Sequence, residues 1–278
     1  MRPTCASSRR RFAAQVKRKP LARPLHNKKK MNSHRIAEIL VDKGKTLFDS
    51  PRNFVTFTGN VQADTLLNNL ENTPHAFVLA CVMDRQIKAE VAWLIPYRIS
   101  EKLGNFNFQT LATLSLQEVE NLMTLPSPLH RFPSEMSKNF YFAVQTISEN
   151  HGGVASNIWS GKPSSAEVVY RFLQFRGVGQ KIGTMAANIL ARNFKIEFSD
   201  YYSIDISVDV HIKRVFYRLG LIPDQASNEQ IIFRARALSP QFPGLLDLPV
   251  WEIGRNWCKP TEPNCSECYM QEVCPKIL

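Results

Sequence analysis

The sequence predicts an all-α protein, on three observations. Apolar residues recur at helical spacing in one segment after another. Helix-start signals accompany them, as a Thr-Pro pair and Ser-x-x-Glu or Ser-x-x-Gln boxes. Alternating strand patterns are scarce, the main exception being YYSIDISVDV (Tyr201–Val210), which also reads as an extended connection. Helices with one apolar stripe each must bury those stripes against one another.

Taken in order, the helical pattern begins at Ser33, with Ile36, Ile39, Leu40 and Leu47 on one face. Residues 50–60 read as a loop or a short extended segment. Thr73-Pro74 reads as a cap followed by proline at the first helical position, opening an apolar, buried segment to Met83. A longer helix is expected from Gln86 to Leu103. Ser115-x-x-Glu118 and Ser164-x-x-Glu167 are capping boxes. Pro133 opens a helix striped by Met136, Phe140, Val144 and Ile147, and Ser227-x-x-Gln230 opens another that ends by Pro240.

Charge is unevenly placed. Of 35 Lys and Arg, eleven lie in residues 1–30, which hold no acid; the other 24 balance the 24 acidic residues. Such an arm reads as disordered. It suits phosphate binding without sequence preference. It also fits a transit peptide, or a translation start at Met31 that leaves it out. No apolar run approaches the ~18 residues of a membrane span, and no secretory leader is visible, so the expectation is an intracellular protein with no membrane partner.

Four of the six cysteines fall within the last 21 residues, as Cys258-x6-Cys265-x2-Cys268-x5-Cys274. Without a secretion signal such a cluster points to metal rather than disulfides. Four thiolates suit zinc, although common zinc ribbons use two Cys-x2-Cys knuckles and this chain has one. They suit an iron–sulfur cluster equally well, and spacing alone leaves both open.

The stretch FRGVGQKIGTMAANIL (Phe175–Leu190) joins two amphipathic segments. One carries Val168, Val169, Phe172 and Leu173 on a face, the other Ile182, Met185, Ala186, Ile189 and Leu190. Packed together they make a helix–hairpin–helix with its tight turn at Gly177-Val178-Gly179. Glycines there permit positive φ, and free N–H groups at the following helix start favour a phosphate. A plain helical corner is the simpler reading of the turn alone, and a solvated surface charge that of Lys181. The sharper reading makes Lys181 an amine nucleophile. Asp209 precedes a further helix and reads first as an N-cap. A catalytic part requires its carboxylate to face the same cleft as Lys181.

RGVGQK (176–181), VDVHIKRV (208–215) and the four-cysteine spacing, in that order, resemble the endonuclease III family of helix–hairpin–helix (HhH-GPD) DNA glycosylases. The likeness covers roughly Ser33 to Cys274. It implies a two-lobed all-α enzyme: a six-helix barrel lobe over residues 66–196, with the hairpin at 164–194, and an iron–sulfur cluster lobe of 31–65 and 197–278. It implies Lys181 and Asp209 as the catalytic pair, with Cys258, Cys265, Cys268 and Cys274 as ligands of a [4Fe–4S] cluster. Gly177, Val178 and Gly179 would hold a DNA phosphate. Gln86 would fill the gap left by a flipped base, and Asp84 and Arg85 would line the pocket or touch the opposite strand. Leu129, His130 and Arg131 fall where the family has a wedging loop, and His151-Gly152-Gly153 where it has a short loop after its long barrel helix.

The implied activity is removal of a damaged base, by default an oxidised pyrimidine, from double-stranded DNA by a monomer, followed by cleavage at the abasic site. The implied location is with DNA: cytoplasm or nucleoid in a bacterium, nucleus or mitochondrion in a eukaryote. The chain departs from the family at Arg176 (usually Pro), Ile182 (a small hydroxyl residue) and Val210 (Thr). The segment Phe198–Ser207 is longer, and the region of Asp84–Gln86 is unlike that of the oxidised-pyrimidine enzymes. These departures spare Lys181 and Asp209 and bear on the choice of base. Two other functions compete: a monofunctional glycosylase for a mismatched or alkylated base, and a non-enzymatic DNA-binding protein with a structural metal.

Overall fold

The computed structural model describes the backbone of residues 25–277 and the side chains of 33–277. Most of the expected basic arm, residues 1–24, lies outside the described residues. The first helix, α1 (Leu25–Asp49), starts eight residues before Ser33. The added stretch is polar and has no period, but Pro24 is the nearest helix breaker, so nothing in it stops the helix.

Asn60 caps α2 (Val61–Asn68), its Oδ1 accepting from Ala63 N–H at 2.9 Å. The preceding loop is closed by buried Asp64, whose carboxylate accepts from the amides of Phe57, Thr58 and Gly59. In α3 (Pro74–Met83) every residue is buried. The expected cap at its start is different in kind: the Thr73 hydroxyl donates to the carbonyls of Leu66 and Asn69, and no side chain caps α3. The next helix, α4 (Ala89–Leu103), begins at Ala89 rather than Gln86, because Gln86 takes a left-handed φ of 55° that no helix accommodates.

Four helices complete the first half: α5 (Phe108–Ala112), α6 (Leu116–Thr124), α7 (Pro133–His151) and, after a 3-10 turn at Ala155–Ile158, α8 (Ser165–Leu173). The Ser115–Glu118 capping box forms in full. The one at Ser164 forms by half: Ser164 accepts from Glu167 N–H, while the Glu167 carboxylate turns to Arg171 at 2.9 Å. Leu173, placed on the apolar face from the sequence, is 42% exposed at the helix end. Then come α9 (Gln180–Arg192), α10 (Val210–Arg218), α11 (Asn228–Leu238), a 3-10 turn at Pro243–Leu246 and α12 (Asp247–Asn256). Among the described residues there is no strand, and no described helix is long and apolar enough to cross a membrane.

Two hydrophobic cores form. The first is built on α3, α7, α8 and α9, around Phe77, Phe140, Phe172 and Phe175. Each such buried ring contributes roughly 1.5–3 kcal/mol. It reaches past residue 196 to Phe198, Ile204 and Phe242. The second core joins Ile36 and Leu40 of α1 to Val215, Phe216, Ile231, Val250 and Met270. The extended segment 201–209 crosses from one to the other: Ile204 is buried in the first core and Ile206 in the second. A cleft lies where the cores meet.

Candidate active site

The hairpin turn is built as the sequence suggests. Gly177 has φ +82°, and a Cβ there would stand 2.5 Å from Arg85 Nη1 and 2.7 Å from Asn139 Nδ2. Glycine is required on both counts. The same geometry brings Arg85 to the hairpin. Val178 is buried beneath the turn, and Gly179 is the N-cap of α9 with no side chain capping it. The first-turn amides of α9 therefore face outward without an intramolecular cap, an arrangement suited to a phosphate.

In the first turn of α9, Lys181 opens onto a cleft of about 870 Å³. Met185, Ile189 and Arg192 follow it along the same face of α9 and line the same cleft. From the other core comes Asp209, which also lines it. Asp209 is the N-cap that the sequence allowed, and it also faces the cleft that Lys181 lines. Its Oδ1 caps α10, accepting from Ile212 N–H at 2.8 Å, and this bond aims the carboxylate into the cleft. The start of α9 is held to the connecting segment by Asp205, which is 2% exposed. Asp205 takes a paired contact from Arg236 (2.8 and 2.8 Å) and a hydrogen bond from Gln180 Nε2 at 3.2 Å.

The rest of the cleft is part aromatic, part ionic. Phe57 and Trp93 stack with centroids 4.5 Å apart and planes 5° from parallel. At the mouth, Arg255 of α12 donates to Glu90 of α4 at 2.8 Å and so spans the two sides. Asp84 accepts from Trp93 Nε1 at 3.3 Å. Burial pushes its carboxyl above the usual range, against the pull of nearby Lys181. Asp247 is likewise pushed up by burial, opposed by the Ser207 N–H and by Arg192.

The Asp84 shift has a measurable consequence. A raised native pKa means that the native state gains from the protonated form. That gain is complete below the unfolded value of about 3.9 and is lost as pH rises through the raised native value. Asp84→Asn should therefore melt above wild type at pH 7–8, with the difference closing as pH falls to 4. Thermal melts across that range check it, and an equal offset at every pH would remove the assignment.

Gln86 lines the cleft from an exposed loop rather than a helix start. His130 points inward: Nε2 pairs with the Arg85 carbonyl at 3.0 Å and Nδ1 accepts from Phe132 N–H, so among Leu129–Arg131 only Arg131 is exposed. His151-Gly152-Gly153 is the turn ending α7, with both glycines at positive φ. The sequence reading missed Arg192, Ser207 and Asp247. Only Arg192 left a signal, in its helical spacing from Lys181, Met185 and Ile189.

The four cysteines line one further cavity, a small one of about 30 Å³, walled by Val215, Leu219, Ile253, Trp257 and Met270. Among the described residues, no three His, Cys, Asp or Glu side chains gather closely enough to hold a metal ion. Each of the four contributes to the cavity wall instead. Arg218 Nη1 lies 3.4 Å from Cys258 Sγ, and Lys276 N–H donates to Cys274 Sγ at 3.4 Å. Burial pushes the Cys268 and Cys274 thiols up. The cysteine segment is tied to α10 by Arg214, which donates to the carbonyls of Cys258 (2.7 Å) and Gly254 (2.9 Å), and by Arg218, which donates to those of Lys259 (2.6 Å) and Pro260 (2.9 Å).

The all-helical fold, the hairpin and the cleft between two cores define a helix–hairpin–helix glycosylase fold, and comparison with solved structures agrees. The chain superposes on a trapped endonuclease III–DNA covalent intermediate with a TM-score of 0.57 at 17% identity, covering 87% of this chain and 96% of that one. It matches a thermostable thymine-DNA glycosylase with a TM-score of 0.58 at 14% identity, covering 91% and 98%. It matches the Clostridium acetobutylicum 8-oxoguanine glycosylase/lyase bound to double-stranded DNA at 0.51 and 16%, covering 75% and 72%. In sequence it is 24% identical over 209 residues to endonuclease III of Thermotoga maritima, across 74% of this chain and 85% of that protein. No family model matches the chain. By sequence and fold together, the chain resembles the endonuclease III family of HhH-GPD DNA glycosylases.

Proposed function

We propose that this protein is a DNA glycosylase with abasic-site lyase activity, acting on a damaged base in double-stranded DNA. The observation that carries the reading is that Lys181 and Asp209, from different cores, line one cleft. A base inside a duplex is out of reach, so the nucleotide must be turned out into that cleft. The Lys181 amine attacks C1′ of the deoxyribose, and the C1′–N bond breaks. The base leaves with the bonding electrons and takes up a proton. The amine sheds its proton, and the sugar ring opens to a Schiff base. The Asp209 carboxylate stabilises the positive charge that grows on the sugar. The Schiff base acidifies the C2′ hydrogen, and its removal expels the 3′ phosphate and cuts the strand. Phosphates would be held by the Gly177–Gly179 amides, with Val178 anchoring the turn and Arg85 beside it, so that register is fixed without reading sequence. Gln86, which lines the cleft, would fill the gap left by the extruded nucleotide.

Cys258, Cys265, Cys268 and Cys274 would hold a [4Fe–4S] cluster. Support comes from the all-thiol donor set, the N–H groups on two of the sulfurs, the lining of one cavity by all four cysteines, and the likeness to endonuclease III. When bound, such a cluster would supply cross-linking of the C-terminal segment. Purified protein should contain about four irons per chain. Cys268→Ala should strip most of the iron and lower the melting temperature, and excision should weaken because α10, capped by Asp209, is held by this segment. Zinc in place of iron would overturn the assignment.

The experiment that tests the enzyme reading is borohydride trapping on abasic and damaged duplexes. A covalent complex is expected with wild type, and its absence on every duplex would end the lyase claim. The duplexes should carry oxidised pyrimidines, mismatched thymine and 8-oxoguanine, since the solved structures that share this fold act on different bases.

A further inference from the structure

The cleft contains a second polar group that no step above uses. Ser207 lines the cleft, is 8% exposed, and its hydroxyl has no hydrogen-bond partner. Arg192 lines it from the last turn of α9; its Nε donates to Asn193 Oδ1 at 3.2 Å, while its Nη1 is buried and unpartnered. Asp247, at the start of α12, accepts the Ser207 N–H at 2.6 Å on Oδ1. Its carboxylate interacts electrostatically with Arg192 and also with Asp209 and Lys181, which joins this group to the reacting pair. Buried donors without partners are costly, and a protein that keeps two of them in the wall of one cleft calls for an explanation.

Their surroundings suit a flat ring. Met185 and Ile189 lie along α9 between Lys181 and Arg192, and the stacked Phe57 and Trp93 form another part of the wall. A nucleotide whose C1′ sits at Lys181 must put its base somewhere along this cleft. We propose that Arg192, Ser207 and Asp247 read the polar edge of the extruded base, and that the bases accepted present a lactam edge, a carbonyl beside a ring N–H. The inference rests on the glycosylase reading above. The guanidinium only donates, the hydroxyl can donate, and an ionised carboxylate only accepts. Two donors beside one acceptor match an oxygen with two lone pairs next to an N–H. Uracil, thymine, their oxidised forms and 8-oxoguanine carry that edge. Adenine does not: its ring nitrogen has a single lone pair beside the amino group.

The test compares single-turnover excision with abasic-site trapping. Wild type should excise lactam bases and leave adenine and 3-methyladenine. Ser207→Ala should slow lactam excision about tenfold, the scale of one hydrogen bond. Trapping on a pre-formed abasic site, where there is no base to read, should fall far less. Ser207→Ala deletes an atom that has no partner, so its fold stands even if Arg192→Gln does not fold. Arg192→Gln, if folded, should show the same split, larger. The subsite is overturned if Ser207→Ala excises like wild type, if excision and trapping fall in proportion, if wild type prefers adenine or 3-methyladenine, or if it traps abasic DNA yet excises no lactam base. A wild type that traps nothing instead ends the enzyme reading itself.

Discussion

Lys181→Ala is expected to give no borohydride-stable complex with abasic DNA while folding as well as wild type. The two halves of this expectation have separate physical grounds. The Lys181 side chain is exposed and makes no hydrogen bond or ion pair among the described residues, only its carbonyl accepting, from Thr184 Oγ1. Alanine is the best helix former, so stability should change by no more than about 0.5 kcal/mol. Chemistry is another matter. The Schiff base is a bond to this nitrogen, and no other amine follows it along the cleft face of α9, where Met185 and Ile189 come next. Lysine to arginine should fail as completely, because a guanidinium is not a nucleophile at neutral pH. Strand cleavage should be lost with trapping. If base release survives at a wild-type rate while trapping is lost, water is the nucleophile, and the monofunctional alternative replaces the lyase.

Asp209→Asn and Asp209→Ala form the second pair, and they separate structure from chemistry at one position. Asparagine caps a helix about as well as aspartate, so Asp209→Asn should keep the Ile212 bond and melt with wild type. Alanine forfeits the cap, at about 1 kcal/mol, or a shift of about 2–4 °C for a chain of this size. Both lose the charge facing the sugar. Base excision should therefore fall about 10²–10³-fold in each, the scale of one electrostatic contact to a developing charge. Near-wild-type excision by Asp209→Asn would reduce Asp209 to a helix cap.

Lys181 and Asp209, the proposed catalytic pair, each have a local signature, and the family resemblance joined them. A Gly-Val-Gly turn favours a hairpin and places the lysine in the first turn of the next helix. Asp209 stands at a helix start, where a carboxylate belongs. What sequence could not supply is convergence. Arg192, Ser207 and Asp247 belong to a helix end, an extended connection and a different helix, and each has a bland reading of its own. The α3–α4 loop was misread for a related reason. Asp84-Arg85-Gln86 contains no glycine or proline, yet Gln86 adopts a left-handed φ because tertiary contacts hold the loop, His130 gripping the Arg85 carbonyl. Local propensity also starts α1 too late, since the residues before Ser33 offer no apolar period while having nothing to stop a helix. The cysteines were visible as a set, but their tie to α10 through Arg214 and Arg218 was not.

The route of the chain through its two cores bears on how the protein is made. The lysine belongs to a core drawn mostly from consecutive helices, α3 to α9, with Phe198, Ile204 and Phe242 added from beyond them. The other wall needs α1 from the beginning and α12 from the end, and Asp247 arrives with α12. A nascent chain, or one cut short before Met270, thus presents the amine without the finished wall against which a base would be held. The wall that carries Asp209 and Asp247 is thus closed only by segments that lie far apart in the sequence.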